Sequence, residues 1–391
     1  MAAQLVIGKI RVQEVIRSDG RVSSTIVWPT GEVYEEPDGY LRTCTAGTSR
    51  TYAYMLVDHL RWLEAEALSI KTVTFADVEG YMGAVGAEFA GPFGPPWRQG
   101  KRPYGQSALE VAAAALKGFY VHLGKRDINP SLSKALDLER LPTTADRRRA
   151  LLGHTLRSMP ANPLTPTKTV RRRHPKMLPD GARSELGGTL RTARDRMTVD
   201  WLPDGGFRIG EFCGFYLCDL HLRENAPCGE CRAPHVHICH RETNPNRTRV
   251  KVKYEWWVED STIRGGLIRR VSSEMIHSYF EYMTTEYPAD ADHGMLAVQL
   301  HGPNNGQPWG TAGARGMLRR AGYRVELGRI KPRQFRHTLT NEVLDAADGK
   351  AAVARDALGW KSAEMVDEVY GHADIHDPTL ADALCKAWGQ R

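Results

Sequence analysis

No stretch of this 391-residue chain approaches the eighteen or so consecutive apolar residues that a membrane-spanning helix needs, so no span is expected. Nothing in its opening residues reads as a signal peptide. The seven cysteines are few and odd in number, which favours reduced thiols in a cytoplasmic setting over a disulfide framework. There is no G-x-x-x-x-G-K-[ST] loop, no G-x-G-x-x-G after a strand and no H-E-x-x-H, so nucleotide-driven and metalloprotease chemistry have no support. The sequence shows no internal repeat.

What the chain does have is length, apolar content and concentrated basic charge. At 391 residues and 41% hydrophobic it should form two domains or more with true cores. A formal charge of +7 and a pI of about 9.0 favour an anionic partner. Positions 146–183 carry ten Lys/Arg against two Asp, including Arg147-Arg148-Arg149 and Arg171-Arg172-Arg173, and five prolines fall between 160 and 179. Prolines and like charge oppose a packed core, so residues 142–183 read as a linker. Its arginines are either a solvated tether or a track for a phosphate backbone, which would add salt-dependent, sequence-blind affinity.

Residues 1–47 read as a β-rich arm. Val12–Ile16 and Val22–Trp28 flank Ser18-Asp19-Gly20, a hairpin signal. Thr48-Ser49 can cap a helix with stripe Tyr52, Leu56, Leu60 and Leu63. A second helix starts at Thr74, with Asp77 three residues on, and the Pro/Gly-rich stretch 91–105 reads as a loop. Residues 106–123 give the clearest helix here, with Leu109, Leu116, Phe119, Tyr120 and Leu123 on one side. Further on, 272–287 reads as a capped helix (Met275, Ile276, Tyr279, Phe280, Met283), 302–309 as a loop and 311–321 as a helix.

The stretch from Lys331 to His372 carries the most chemistry. It places Arg333, Arg336 and His337 at the start of an amphipathic helix whose apolar stripe is Phe335, Leu339, Val343 and Leu344. On that reading Arg336 projects away from the stripe, and an arginine fork on a packed helix suits an oxyanion or phosphate. Leu358-Gly359-Trp360 follows, and Tyr370 stands ten residues after the tryptophan. Taken singly these could equally be a surface arginine pair and a core tyrosine beside Met365, Val366 and Val369.

Together they resemble the C-terminal signature of the tyrosine recombinase (phage integrase) family: H-x-x-R-H-T, then L-G-H or L-G-W, then tyrosine. Arg336-His337-Thr338, Leu358-Gly359-Trp360 and Tyr370-Gly371-His372 match it, while Arg333 stands where the family has its first histidine. Gly205-Gly206-Phe207-Arg208-Ile209-Gly210-Glu211 resembles the family's T-G-L-R-x-x-E, which makes Arg208 the match for the first catalytic arginine and Glu211 its brace. Asn244-Pro245-Asn246-Arg247-Thr248-Arg249-Val250-Lys251 resembles an N-x-N-x-x-R-x-K run of one integrase branch, so the resemblance implies a hairpin over 241–258 that carries the family's mobile lysine, matched by Lys251 with Lys253 second. The helical region 48–141 looks like the family's core-binding domain.

Such an assignment has a chemical rationale. A phosphodiester resists attack because charge grows on its non-bridging oxygens; two arginines from separate segments neutralise it without a metal. Tyrosine, with a free pKa of about 10, needs a cationic neighbourhood to act as nucleophile. A 3′-phosphotyrosyl bond conserves energy for rejoining, Lys251 could protonate the leaving 5′-oxygen, and the Trp360 indole could donate to the phosphate. Arg333 cannot serve as a base, which leaves His337 or His372 for that role.

Cys228-Gly229-Glu230-Cys231 precedes Pro234-His235-Val236-His237-Ile238-Cys239-His240. Cys228, Cys231, His235, His237 and Cys239 could hold zinc, or be reduced thiols on a hairpin; there is one C-x-x-C only and no standard second pair. No metal or cofactor is assigned to the reaction.

The expected fold is mainly α with a small antiparallel β component (α+β): an arm over 1–47, a helical core-binding domain over 48–141, the basic linker 142–183 and an integrase-type catalytic domain over 184–391. The resemblance implies catalytic roles for Arg208, Lys251, Arg333, Arg336, Trp360 and Tyr370, double-stranded DNA as partner, and a homo-tetramer on two sites near the nucleoid. The rival readings are a catalytically weakened accessory protein, a type IB topoisomerase-like enzyme and a zinc-stabilised regulator.

Overall fold

The computed structural model describes residues 10–86, 98, 100–150, 152–167, 175–252, 254–360 and 362–370. The chain divides into two compact units, Met1–Arg171 and Arg172–Arg391.

In the first unit, β1 (Arg11–Ile16) and β2 (Val22–Val27) pair antiparallel from Arg11↔Val27 to Ile16↔Val22, and Gly20 takes the left-handed φ of +78° that the turn requires. Next come α1 (Glu35–Leu41), α2 (Ala46–Ala65), α3 (Phe75–Gly86), α4 (Gln106–Gly124) and α5 (Pro130–Leu136). Beyond them, β3 (Leu138–Arg140) pairs antiparallel with β4 (Met159–Ala161), with α6 (Thr144–Arg149) and a 3-10 turn at Gly153–Thr155 between. Three elements of this stretch, α6, the 3-10 turn and β4, lie within the region read as linker, and the arginines at 171–173 are outside the described residues.

Helix α1 falls inside the stretch expected to be a β-rich arm, and its Asp38 is buried and accepts from Arg17 and Arg42. Helix α2 also starts earlier than Thr48. Ser49 sits inside its first turn and accepts a bond from Ser24 N, fastening the hairpin instead of capping the helix. Thr74 and Asp77 do cap α3, each side chain receiving the other's backbone N–H. Ile26 of β2 shares one core with Leu56, Leu60 and Leu63 of α2 and Leu116, Phe119 and Leu123 of α4. Arg98, Lys101 and Tyr104 all bond the buried Asp58, which ties the loop before α4 to α2.

The second unit runs α7 (Ala182–Gly188), α8 (Ala193–Asp204), α9 (Ile209–Phe212), β5 (Leu220–His221), β6 (His235–Ile238), β7 (Trp256–Glu259), β8 (Thr262–Gly265), β9 (Leu267–Arg270), α10 (Ser273–Thr285), α11 (Thr311–Arg324), α12 (Pro332–Ala346), α13 (Ala351–Leu358) and α14 (Ala363–Tyr370). Its sheet has the order β5-β6-β9, all antiparallel, and β7-β8 is a separate hairpin. The core gathers Trp201, Phe207, Phe212, Phe215, Met275, Tyr282 and Phe335. As the sequence led one to expect, the chain is mainly helical with small antiparallel sheets, and no helix among the described residues is long and apolar enough to cross a membrane.

The hairpin expected over 241–258 falls later, at 256–265, turning through Asp260 and Ser261 with φ of +47° and +59°. Upstream of it the asparagines occupy the backbone themselves. Asn244 Nδ2 donates to Thr248 O at 2.7 Å, and Asn246 Nδ2 donates to Cys213 O and Trp309 O at 2.7 and 2.9 Å. Side chains that bond backbone carbonyls in this way replace a strand ladder.

Candidate active site

The site is assembled where α12, the end of α13, α14, β9 and the turn before α9 meet. Helix α12 begins with Pro332 at its first position and a bond from Lys331 N to Gln334 Oε1. The stripe read from the sequence needs correcting, because Arg336 lies on the buried face with Phe335, Thr340 and Leu344 and is 3% exposed. Its guanidinium donates to Gly206 O at 2.7 Å and Leu358 O at 2.6 Å, and stacks over the Trp360 ring 4.9 Å from the centroid. Carbonyls thus satisfy part of the fork and fix its direction.

Arg208 caps α9 and keeps 40% of its side chain exposed. Glu211, 1% exposed, accepts from Arg208 Nη1 at 2.5 Å and from Arg208 N at 2.8 Å. Gly206 has a φ of +57°, and a Cβ there would stand 2.4 Å from Leu358 Cδ2, so only glycine lets this turn close against α13. Gly359, at φ +59°, ends α13 in the left-handed cap, and Trp360 N returns to Arg355 O.

Tyr370 closes the group. Its hydroxyl is hydrogen-bonded to His337 Nδ1, and its ring centroid lies 5.7 Å from that of His337 and 6.2 Å from that of Trp360. Burial raises the phenol pKa, while a bond with Thr340 and the charges of Arg336 and Arg333 act the other way. Burial, Arg333 and Arg336 lower the His337 pKa, so its imidazole is neutral at pH 7. Burial and then the charge of Arg208 bring Arg336 down to about 10, still protonated at neutral pH. Among the described residues, Arg336 Nε and Trp360 Nε1 are buried donors with no acceptor. Buried donors are rarely left so, and two in one place suit an anionic ligand.

Of the residues picked from the sequence, Trp360 joins two others, stacking against Arg336 and meeting the Tyr370 ring edge-on. Arg208 and Arg333 act on them through charge, Arg333 being exposed in the first turn of α12. Lys251 is exposed between buried Val250 and Val252 and bonds to no described residue. Its segment nevertheless packs on α9, since a Cβ on Gly210 would stand 2.8 Å from Arg249 O. Lys253 and His372 fall outside the described residues.

Sequence reasoning missed Arg269. It is 4% exposed on β9 and donates to Ala357 O and Leu358 O, bracing the same turn as Arg336. Burial and the charge of Arg336 bring its pKa down to about 9. The available signal was the period of two, which puts Arg269 in phase with the inward-leaning Leu267.

No protein-family model matches the chain. Transposase A from transposon Tn554 of Staphylococcus aureus is 23% identical over 186 residues, 48% of this chain; the match spans 45% of that transposase. Among solved structures, the XerH site-specific recombinase bound to a palindromic difH substrate aligns with a TM-score of 0.53 at 12% identity, covering 89% of this chain and 82% of that one. The Tn1549 transposon integrase in complex with transposon right end DNA aligns with a TM-score of 0.51 at 14% identity, covering 91% of this chain and 98% of that one.

Proposed function

We propose that this chain, which has the tyrosine-recombinase fold, is a site-specific DNA recombinase of a mobile element. It would cut and rejoin duplex strands through Tyr370. The observation that carries this reading is the Tyr370 hydroxyl held on a neutral imidazole beside a buried, carbonyl-fixed guanidinium.

In the first step the Tyr370 oxygen attacks the scissile phosphorus and its proton passes to His337 Nδ1. A bond forms from the phenolic oxygen to the 3′-phosphate, and the bond to the 5′-oxygen breaks. Arg208 and Arg336 donate to the non-bridging oxygens, with Trp360 Nε1 adding a third contact. One such preorganised donor is worth about 3–4 kcal/mol of barrier. Lys251 supplies the proton to the leaving 5′-oxygen, its segment swinging in with the DNA. The reverse sequence, with a new 5′-hydroxyl as attacker, rejoins the strands without ATP. His337 thus takes the base role that Arg333, always protonated, cannot.

The substrate is double-stranded DNA, gripped by both units, with four copies acting on two sites in the cytoplasm. Residues 48–141 take the core-binding role, residues 142–183 act as the basic linker and residues 184–391 as the catalytic domain. The test is a nicked suicide duplex built from the termini of the element that carries the gene. A protein–DNA adduct that resists denaturant and is lost in Y370F supports the reading. DNA binding without any adduct would make the chain an accessory protein instead.

A further inference from the structure

A second cluster of chemically active side chains lies on the β5-β6-β9 sheet, outside the residues given a role above. We infer that His221, Cys228, His235 and His237 bind one structural zinc ion. Their donor atoms all lie within 4.8 Å of one another. Cys228, His235 and His237 are fully buried and His221 is 8% exposed.

The ring tautomers point to a cation. His235 Nδ1 is 2.7 Å from Ala233 O, and His237 Nδ1 is 2.8 Å from Gly265 O. A carbonyl only accepts, so both protons sit on Nδ1 and each neutral ring presents its Nε2 lone pair inward. Those two Nε2 atoms are 3.2 Å apart, and the Cys228 sulfur is 3.2 Å from the first. One thiol proton can satisfy one nitrogen, which leaves the two lone pairs facing each other. A metal ion in place of that proton accepts from all of them.

The spacing fits zinc. Zn–N bonds of about 2.0–2.1 Å and a Zn–S bond of about 2.3 Å put tetrahedral ligands roughly 3.3–3.6 Å apart. The two contacts of 3.2 Å are already close to that, and the remaining ligand need move only modestly. Carbonyls on the far nitrogens are the outer support that metal-bound histidines usually have. Three imidazoles and a thiolate close a four-coordinate shell and leave no position for substrate, so the ion is structural.

The ligand set differs from the one suggested by the C-x-x-C. His221 enters because β5 pairs antiparallel with β6, setting His221 opposite His235. Cys231 and Cys239 are outside it; β6 ends at Ile238, and the Cys239 sulfur lies toward Gly266. The ion would pin β5, β6 and the 226–231 turn together. Through the pairing Val236↔Arg269 it would also hold the strand whose arginine braces the Leu358 turn.

The inference does not depend on recombination chemistry, and its test reads metal. The full chain, expressed without added chelator and desalted, should carry about one zinc per chain by plasma mass spectrometry. Exchange with cobalt should give the visible bands of a tetrahedral site together with a single-thiolate charge-transfer band. Zinc and the thiolate band should vanish in C228S and persist in the double variant C231S/C239S. If C228S fails to fold, wild type decides with the double variant. Less than about a tenth of an equivalent with no cobalt bands would overturn the assignment. So would zinc lost from C231S/C239S, or copper bound in its place.

Discussion

Arg269 and Arg336, one on a strand and one on a helix, donate to the same backbone oxygen, that of Leu358. This oxygen belongs to the last turn of α13, where carbonyls lack intrahelical donors and the helix dipole is negative. The shared acceptor holds two guanidinium groups side by side where each alone would repel the other. Replacing Arg269 by methionine keeps bulk and removes the bracing bonds. We expect thermal unfolding to report a loss of about 1–3 kcal/mol, with slower adduct formation. Unchanged melting and rate would mean the brace is idle.

Tyr370→Phe should abolish the covalent adduct and leave DNA affinity within about twofold, because the hydroxyl contributes no charge to binding. Gel retardation beside a denaturing gel separates the two. Persistence of the adduct in Y370F would assign the nucleophile elsewhere.

The pH profile should report His337. A base works only when neutral, and this imidazole has its pKa lowered by burial, Arg333 and Arg336. Cleavage should therefore stay flat as pH falls through about 6.5, the ordinary histidine value, and decline only below it. Arg333→Ala removes one positive neighbour, raising the His337 pKa and moving the acid limb to higher pH. His337→Ala should cost about 10²–10⁴ in rate and erase the limb. A limb that stays put in R333A would separate His337 from the proton transfer.

Glu211→Gln keeps the shape of a 1% exposed side chain and removes its charge. The exposed guanidinium of Arg208 then loses its anchor. Adduct formation should fall by roughly tenfold, near 1.4 kcal/mol, with little change in the melting of the first unit. A rate equal to wild type would show that Arg208 needs no brace.

Much of the helical frame was legible, because the period of 3.6 in Leu56-Leu60-Leu63 or Leu116-Phe119-Leu123 leaves one apolar face. Arg336 was misread for the same reason. Amphipathic logic sends an arginine outward, whereas its two acceptors, Gly206 O and Leu358 O, lie 130 and 22 residues away in sequence. Asn244 and Asn246 hid a non-strand segment inside a strand-like pattern, Asn244 by bonding Thr248 O nearby and Asn246 by bonding the distant Cys213 O. His221 escaped notice because only strand register, not spacing, brings it to His235. The tyrosine, the L-G-W turn and R-H-T were visible as letters, but which imidazole meets the phenol was not.

Gly206 ties these observations to the history available to the chain. Its oxygen receives Arg336, while its α-hydrogen faces Leu358 with no space for a methyl group. Position 206 therefore cannot drift one substitution at a time. A larger residue would first have to push out the leucine, and the leucine carries the oxygen that both guanidinium groups grip. Descendants of this sequence can vary what surrounds the paired arginines, but they inherit that hydrogen atom unchanged or lose the turn with it.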